Sequence, residues 1–230
     1  MTKENVLFVI IGLLGGLIIG FVFANSVNQR AVPMAGQPAA NAALPSGHPE
    51  VPGQSAGGTQ PEIQAAIDLA KKEPDNFDAQ IKAAEFYYQI QRFDGALEFL
   101  KRANQLKPES RDVIVNLANA YFDSSKYEEA EKWYVAALAK KSDDINVRTD
   151  LGLTFIFREK PNYDRAIQEF QRSLELDPNH PQTLQNLTVA YTKKGDPANA
   201  NMTLAKLEAF DPTNESLAKL REDVKKIGRE

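Results

Sequence analysis

Few side chains here could carry out a reaction. The 230 residues include no cysteine and two histidines, His48 and His180. A chain without thiols has no thiolate metal site, disulfide, cysteine-linked haem, catalytic thiol or lipidated cysteine. A nucleophilic triad needs a base. Of the two histidines, only His180 lies in the patterned part of the chain, between Asn179 and Pro181, where a surface turn is expected. Glu128, Glu129 and Glu131 cluster in sequence, as do Asp143 and Asp144. Adjacent residues on a helix point apart, so these acids read as solvated charges matched to the dipoles of helix starts, not as metal ligands. No glycine-rich phosphate loop is present. Glycan-acceptor patterns at Asn186, Asn201 and Asn214 fall on or beside predicted helices and are discounted. The expectation is a protein that is not an enzyme, with no catalytic residue, metal or cofactor.

Hydrophobic residues make up 43% of the chain and charged residues 25%, which are globular values. A net charge of −4 argues against nucleic acid as a partner, because phosphate binding needs a basic surface. These averages conceal three unlike regions.

Residues 1–30 read as an N-terminal membrane anchor. Val6 to Ala24 is a run of nineteen residues without a charge or amide, and fourteen of them are Val, Leu, Ile or Phe. As a helix it would span about 28 Å, close to the hydrocarbon thickness of a bilayer. The competing reading is a cleaved leader, with Ala24-Asn25-Ser26 as the cleavage site. Its apolar core would exceed the usual length of about 7–15 residues, and Lys3 is offset by Glu4, so the anchor is favoured. Lys3 and Arg30 nearly tie in setting orientation. The short leader favours a cytoplasmic N-terminus, which would place the rest of the chain on the periplasmic side of an inner membrane. Gly12, Gly16 and Gly20 form a small-residue stripe on which a second membrane helix could pack, a candidate homodimer face.

Residues 31–60 hold five Pro, five Gly and seven Ala, with Glu50 as their one charge. Such a segment cannot bury enough apolar surface to offset its chain entropy. It reads as a flexible linker with a reach of roughly 30 Å, and His48 within it reads as spacer.

Residues 61–230 repeat themselves. Tyr87, Tyr121 and Phe155 are 34 residues apart, and Tyr191 follows 36 later. Ala96, Ala130, Ala166 and Ala200 keep the same rhythm, as do Leu100, Tyr134, Phe170 and Leu204. Pro74, Pro108, Pro178 and Pro212 mark boundaries, and Ser142 stands where another proline is expected. The two extra residues fall between Arg158 and Tyr163. Apolar residues spaced by three and four predict two helices per unit, and proline ends each unit. Small residues at Ala84, Ala118, Gly152 and Thr188 face the small residues of the second helices, so paired helices can approach closely. One such hairpin cannot hide its apolar face, but a stack of them can.

These units resemble the tetratricopeptide repeat, W-x2-L-G-x2-Y…A-x3-F…P. The third shows it best, as Leu151-Gly152-x2-Phe155…Ala166-x3-Phe170…Pro178. The family's Trp is absent, with Gln80, Ile114, Arg148 and Leu184 in its place. The resemblance implies an all-α solenoid of about four helix-turn-helix repeats, at about 77–110, 111–144, 145–180 and 181–214. A helix at Pro61–Lys72 would precede them, and a capping helix over about 214–228 would follow.

In this family, first helices line a groove that binds peptides or partner helices. The register then assigns to the groove Ile81, Lys82, Glu85 and Tyr88 in the first repeat, and Val115, Asn116, Asn119 and Phe122 in the second. Thr149, Leu153 and Ile156 follow in the third, and Gln185, Asn186, Val189 and Thr192 in the fourth. Asn side chains could bond the backbone of an extended ligand. The bland alternative is that the apolar members pack neighbouring helices. The family's chaperone-binding type grips a carboxylate with Lys, Arg and Asn. Here Ile81 and Glu85 stand at its first pair and Asn146 and Asp150 at its later cations, which argues against an anionic peptide tail. The function expected is an anchored scaffold or assembly factor that binds a protein or peptide client. It would serve an envelope complex, with cytochrome c maturation as one architectural parallel. The alternative is a homo-oligomeric structural membrane protein joined through the glycine stripe.

Overall fold

The computed structural model describes residues 60–228. The anchor, its glycine stripe and nearly all of the linker therefore lie outside the described residues. Within them no helix is long and apolar enough to cross a membrane.

Among the described residues ten helices follow one another: α1 (Gln60–Lys72), α2 (Phe77–Gln89), α3 (Phe93–Leu106), α4 (Arg111–Asp123), α5 (Tyr127–Lys140), α6 (Ile145–Phe157), α7 (Tyr163–Leu176), α8 (Pro181–Lys194), α9 (Pro197–Phe210) and α10 (Leu217–Ile227). No strand occurs among the described residues. Each helix packs on its neighbours in sequence, and α2–α3, α4–α5, α6–α7 and α8–α9 form the four hairpins. First helices also meet across repeats, α6 on α8, and α10 closes the stack against α8 and α9.

The alanine rhythm becomes the hairpin seam. Ala96, Ala130, Ala166 and Ala200 have no exposed surface, and Ala84, Ala118, Gly152 and Thr188 face the same interior. The approach is close in the third hairpin, where a Cβ on Gly152 would lie 2.4 Å from the Phe170 ring.

One hydrogen bond closes every hairpin. Arg92, Lys126 and Asp196 donate their N–H to the carbonyls of Tyr87, Tyr121 and Tyr191, each at 2.9 Å. In these three loops one residue takes the left-handed conformation: Gln91 (φ 58°), Ser125 (φ 60°) and Gly195 (φ 78°). The third hairpin has two extra residues and no left-handed residue, yet Asn162 N–H closes the same bond to Phe155 O at 2.8 Å. The insertion thus changes the route of the loop and leaves the helix pair in register.

Side-chain caps start several helices. Asn76 accepts from Ala79 N–H, Asp144 from Val147 N–H, Asn162 from Arg165 N–H and Asp196 from Asn199 N–H. Each cap satisfies one of the donors a helix N-terminus leaves unpaired. His180 joins this set, its Nδ1 accepting from Thr183 N–H ahead of Pro181. The capping helix begins three residues later than the sequence pattern suggests. Asn214 Oδ1 takes the Ser216 N–H at 3.0 Å, and the resulting turn delays α10 to Leu217.

Candidate functional site: the first-helix face

The expected groove residues sit on α2, α4, α6 and α8, but they differ widely in exposure. On α2, Lys82 is exposed while Ile81, Glu85 and Tyr88 are half-buried. On α4, Asn116 is half-buried, and Val115, Asn119 and Phe122 are buried. On α6, Leu153 is half-buried, and Thr149 and Ile156 are buried. On α8, Val189 and Thr192 are half-buried, and Gln185 and Asn186 are buried.

Several buried members have internal partners. Tyr134 on α5 donates its hydroxyl to Asn119 Oδ1 at 2.7 Å. Thr149 Oγ1 donates to Ile145 O at 2.8 Å and lies 2.7 Å from Thr183 Oγ1, which ties α6 to α8. These side chains hold the helices that form the face.

The rings converge. Phe122 meets Tyr127 and Phe157 edge-on, with centroids 5.3 and 6.0 Å apart, and Tyr127 stacks on Phe157. Tyr88 sits edge-on to Phe93 at 5.2 Å and donates its hydroxyl to Asp123 Oδ2. Three successive first helices thereby place Tyr88, Phe122 and Phe157 along one face.

Two carboxylates accompany the rings. Burial pushes the Asp123 carboxyl up to about 7. Asp150 is 6% exposed. Burial first, then repulsion from Asp123 and Asp144, holds its carboxyl well above the ordinary range. Burial also raises Glu85, an effect that nearby Lys82 opposes. Tyr134 is held well above a normal phenol by burial and by the negative charges of Asp150 and Asp123, so it remains a hydrogen-bond donor. Asp123, Phe157 and Tyr134 were missing from the residues expected at the groove. Asp123 directly follows Phe122 and stands 35 residues after Tyr88, one step beyond the repeat period. That offset was the available signal.

Among the described residues, no group of three or more His, Asp or Glu could hold a metal ion.

Comparisons with known proteins agree with this architecture. Tetratricopeptide-repeat sequence profiles match residues 60–111, 91–149 and 158–224. The chain belongs to the tetratricopeptide-repeat family, whose members mediate protein–protein interactions. It is 28% identical over 89 residues to the cellulose synthase operon protein C of Pseudomonas fluorescens (strain SBW25). That match covers 39% of this chain and 7% of the relative's length. Among solved structures it resembles MamA, with a TM-score of 0.55 and 21% identity over 73% of this chain and 90% of the other. A MamA fragment from Desulfovibrio magneticus RS-1 gives a TM-score of 0.61 at 16% identity, covering 68% of this chain and 88% of that one. YrrB, described as a repeat protein with an unusual peptide-binding site, gives a TM-score of 0.62 at 18% identity, covering 70% of this chain and 84% of that one. At these identities the structural likeness establishes the fold.

Proposed function

We propose that this chain is a membrane-anchored adaptor whose first-helix face captures a segment of a partner protein. The row of Tyr88, Phe122 and Phe157 with Asp123 and Asp150 beside it carries this reading, because it joins apolar contact area to polar groups that fix orientation. The solved relative with a peptide-binding site supports it by analogy of fold. The apolar run at residues 6–24 would hold the repeats at an inner membrane on the periplasmic side, and residues 31–60 would serve as the tether. Tethering raises the local concentration of client and machinery without requiring tight contacts. The role is that of a scaffold or assembly factor for an envelope complex, of which cytochrome c maturation is one example, and it needs no reaction and no cofactor.

The test combines a C-terminal topology reporter with site-specific photo-crosslinking in cells. A photoreactive residue at Leu153 or Val189 should trap a discrete protein partner, and one at exposed Glu175 on α7 should not. Equal adducts at all three positions, or none at any, would refute groove capture. Adducts made only to a second copy of the chain would support the homo-oligomeric alternative. A cytoplasmic reporter would refute the periplasmic placement.

A further inference from the structure

The two ends of the helix stack are out of step with the repeat. Ile63, Ala66 and Leu69 of α1 precede Leu97, Leu100 and Ala103 of α3 by one period of 34 residues, so α1 has the register of a second helix. Its own first helix would fall at 43–55, where Pro45, Gly47, Pro49, Pro52 and Gly53 oppose a helix. At the other end, Leu217, Glu222 and Lys225 of α10 hold the positions of Ala79, Ala84 and Tyr87 in α2, which is the register of a first helix.

Each end leaves a face uncovered among the described residues. Leu69 is 42% exposed, although its counterparts Ala103, Ala137, Ser173 and Leu207 are all 0% exposed. Those residues pack in the seam of a hairpin, and Leu69 stands at the same place on α1. Beside α10, where a second helix would pack, there is a recess of about 640 Å³ between α9 and α10. Inside the stack the junction between a second helix and the next first helix is bridged by side chains. Lys101 Nζ lies 5.5 Å from the centre of the Tyr121 ring, and Gln171 donates to the Tyr191 hydroxyl at 3.1 Å. The same positions on α9 and α10 are Ala205 and Lys225, which line the recess together with Leu204 and Val224.

We propose that copies of this chain join head to tail, with α1 of one copy seated in the recess beside α10 of the next as the second helix of a shared fifth repeat. Side-chain volumes on the two helices are complementary. Ala65 and Ala66 stand where α3 has Phe99 and Leu100, which leaves room for the long Glu222 and Lys225 that replace Ala84 and Tyr87. Charge is complementary as well. Lys72 holds the position of Lys140, which pairs with Glu109 in the turn before its own first helix. The segment ahead of α10 offers Asp211 and the exposed Glu215 to Lys72 of the incoming copy. Docking covers Leu69 and continues the apolar seam of the stack from one copy into the next. The two surfaces are different patches, so the contact is heterologous and extends into a row of copies instead of closing as a pair. This assembly goes beyond the adaptor reading, and it uses the ends of the stack.

The third hairpin gives the geometry for a test. Ser173, at the Leu69 position, has its Oγ 3.4 Å from Thr149 Oγ1 across the seam, and Lys219 holds the Thr149 position on α10. The chain has no cysteine, so introduced thiols report only on themselves. The full-length chain carrying both Leu69→Cys and Lys219→Cys, oxidised in lipid vesicles, should form a ladder of dimers, trimers and longer species on a non-reducing gel. Either single variant alone should give monomer, and a mixture of the two singles should give dimer only. Leu69→Cys combined with Glu175→Cys, on exposed α7 surface, should give no ladder. Ala66→Trp added to the first pair would meet Glu222 and should cut the ladder about tenfold, with circular dichroism melting used to verify that the repeats stay folded. Leu69→Cys dimers formed without Lys219→Cys would overturn the proposal in favour of a symmetric α1 contact. A ladder that forms equally with Glu175→Cys, one that survives Ala66→Trp in a folded protein, or no crosslink from the first pair would also overturn it.

Discussion

Tyr134 on α5 donates its hydroxyl to Asn119 Oδ1 on α4 at 2.7 Å, with 1% and 2% of the two residues exposed. The bond joins a second helix to the first helix of the same repeat, directly behind the ring row. In a dry site it stabilises through the penalty avoided more than through the bond gained. Tyr134→Phe should cost about 1–2 kcal/mol, since Asn119 Oδ1 loses this donor. Asn119→Ala should cost about 2–3 kcal/mol, because it orphans the phenol and leaves a small cavity. Urea unfolding midpoints would measure both. A Tyr134→Phe protein as stable as the parent would show that the bond contributes little.

Asp123 and Asp150 should make the domain more stable at mildly acidic pH than at alkaline pH. Burial raises both carboxyls in the folded state above their unfolded value, Asp123 to about 7. The folded protein therefore holds protons that the unfolded chain has released. Their contribution is fully present below about pH 4 and is lost as pH rises through about 7, at up to about 1.4 kcal/mol per pH unit for each extra proton held. Thermal melting at pH 5 and pH 8 should show the drop. The Asp123→Asn, Asp150→Asn double variant should be more stable than the parent at pH 8 and should show a flatter profile between those values. An unchanged slope would place the pH sensitivity elsewhere.

The repeat architecture was legible because it rests on residue volume. Ala96, Ala130, Ala166 and Ala200 recur where only a small side chain fits, and the rings recur where volume is needed, so the period appears in the sequence. The first-helix face was legible in register, since Tyr88 and Phe122 lie 34 residues apart and do share a side of the stack. The polar partners were not legible. Arg148 stands where the family has Trp, and its use depends on Glu169, 21 residues away. Asp123 follows a groove residue and reads as an ordinary helix-end acid until Tyr88 is placed against it. Tyr134 matches the pattern as a core ring, and nothing in the pattern says where its hydroxyl goes. Spacing encodes packing. Long-range hydrogen bonds need the three-dimensional arrangement.

Glu169 should be among the most sensitive residues of the third repeat. Its side chain is 4% exposed and accepts from Arg148 and Arg172, each at 3.0 Å. Arg148 is itself 15% exposed and reaches Ser142 O as well, which ties α6, α7 and the preceding turn together. Removing one member of a buried pair leaves the other charge uncompensated. Glu169→Ala should cost about 3–5 kcal/mol. Replacing both Glu169 and Arg148 with Leu and Met should cost less than Glu169→Ala alone. Chemical denaturation would decide, and additive losses in the double variant would contradict the pairing.

The hairpin loops offer a stabilising prediction. Gln91 and Ser125 occupy the left-handed region, while the equivalent residue of the fourth hairpin is Gly195. A residue with a Cβ pays roughly 1–2 kcal/mol in that conformation, which glycine avoids. Glycine also gives the unfolded chain more freedom, and this returns part of the gain. The net expectation for Gln91→Gly or Ser125→Gly is about 0.5–1 kcal/mol of added stability. The converse, Gly195→Ala, should cost a similar amount, although its Cβ would meet no atom within 4 Å. The loss would therefore report backbone conformation alone. The third hairpin supplies the control, because it closes through Asn162 without a left-handed residue. Glycine at Glu159 or Lys160 there should bring no gain, and a gain equal to that at Gln91 would show that loop flexibility, not left-handed strain, is being measured.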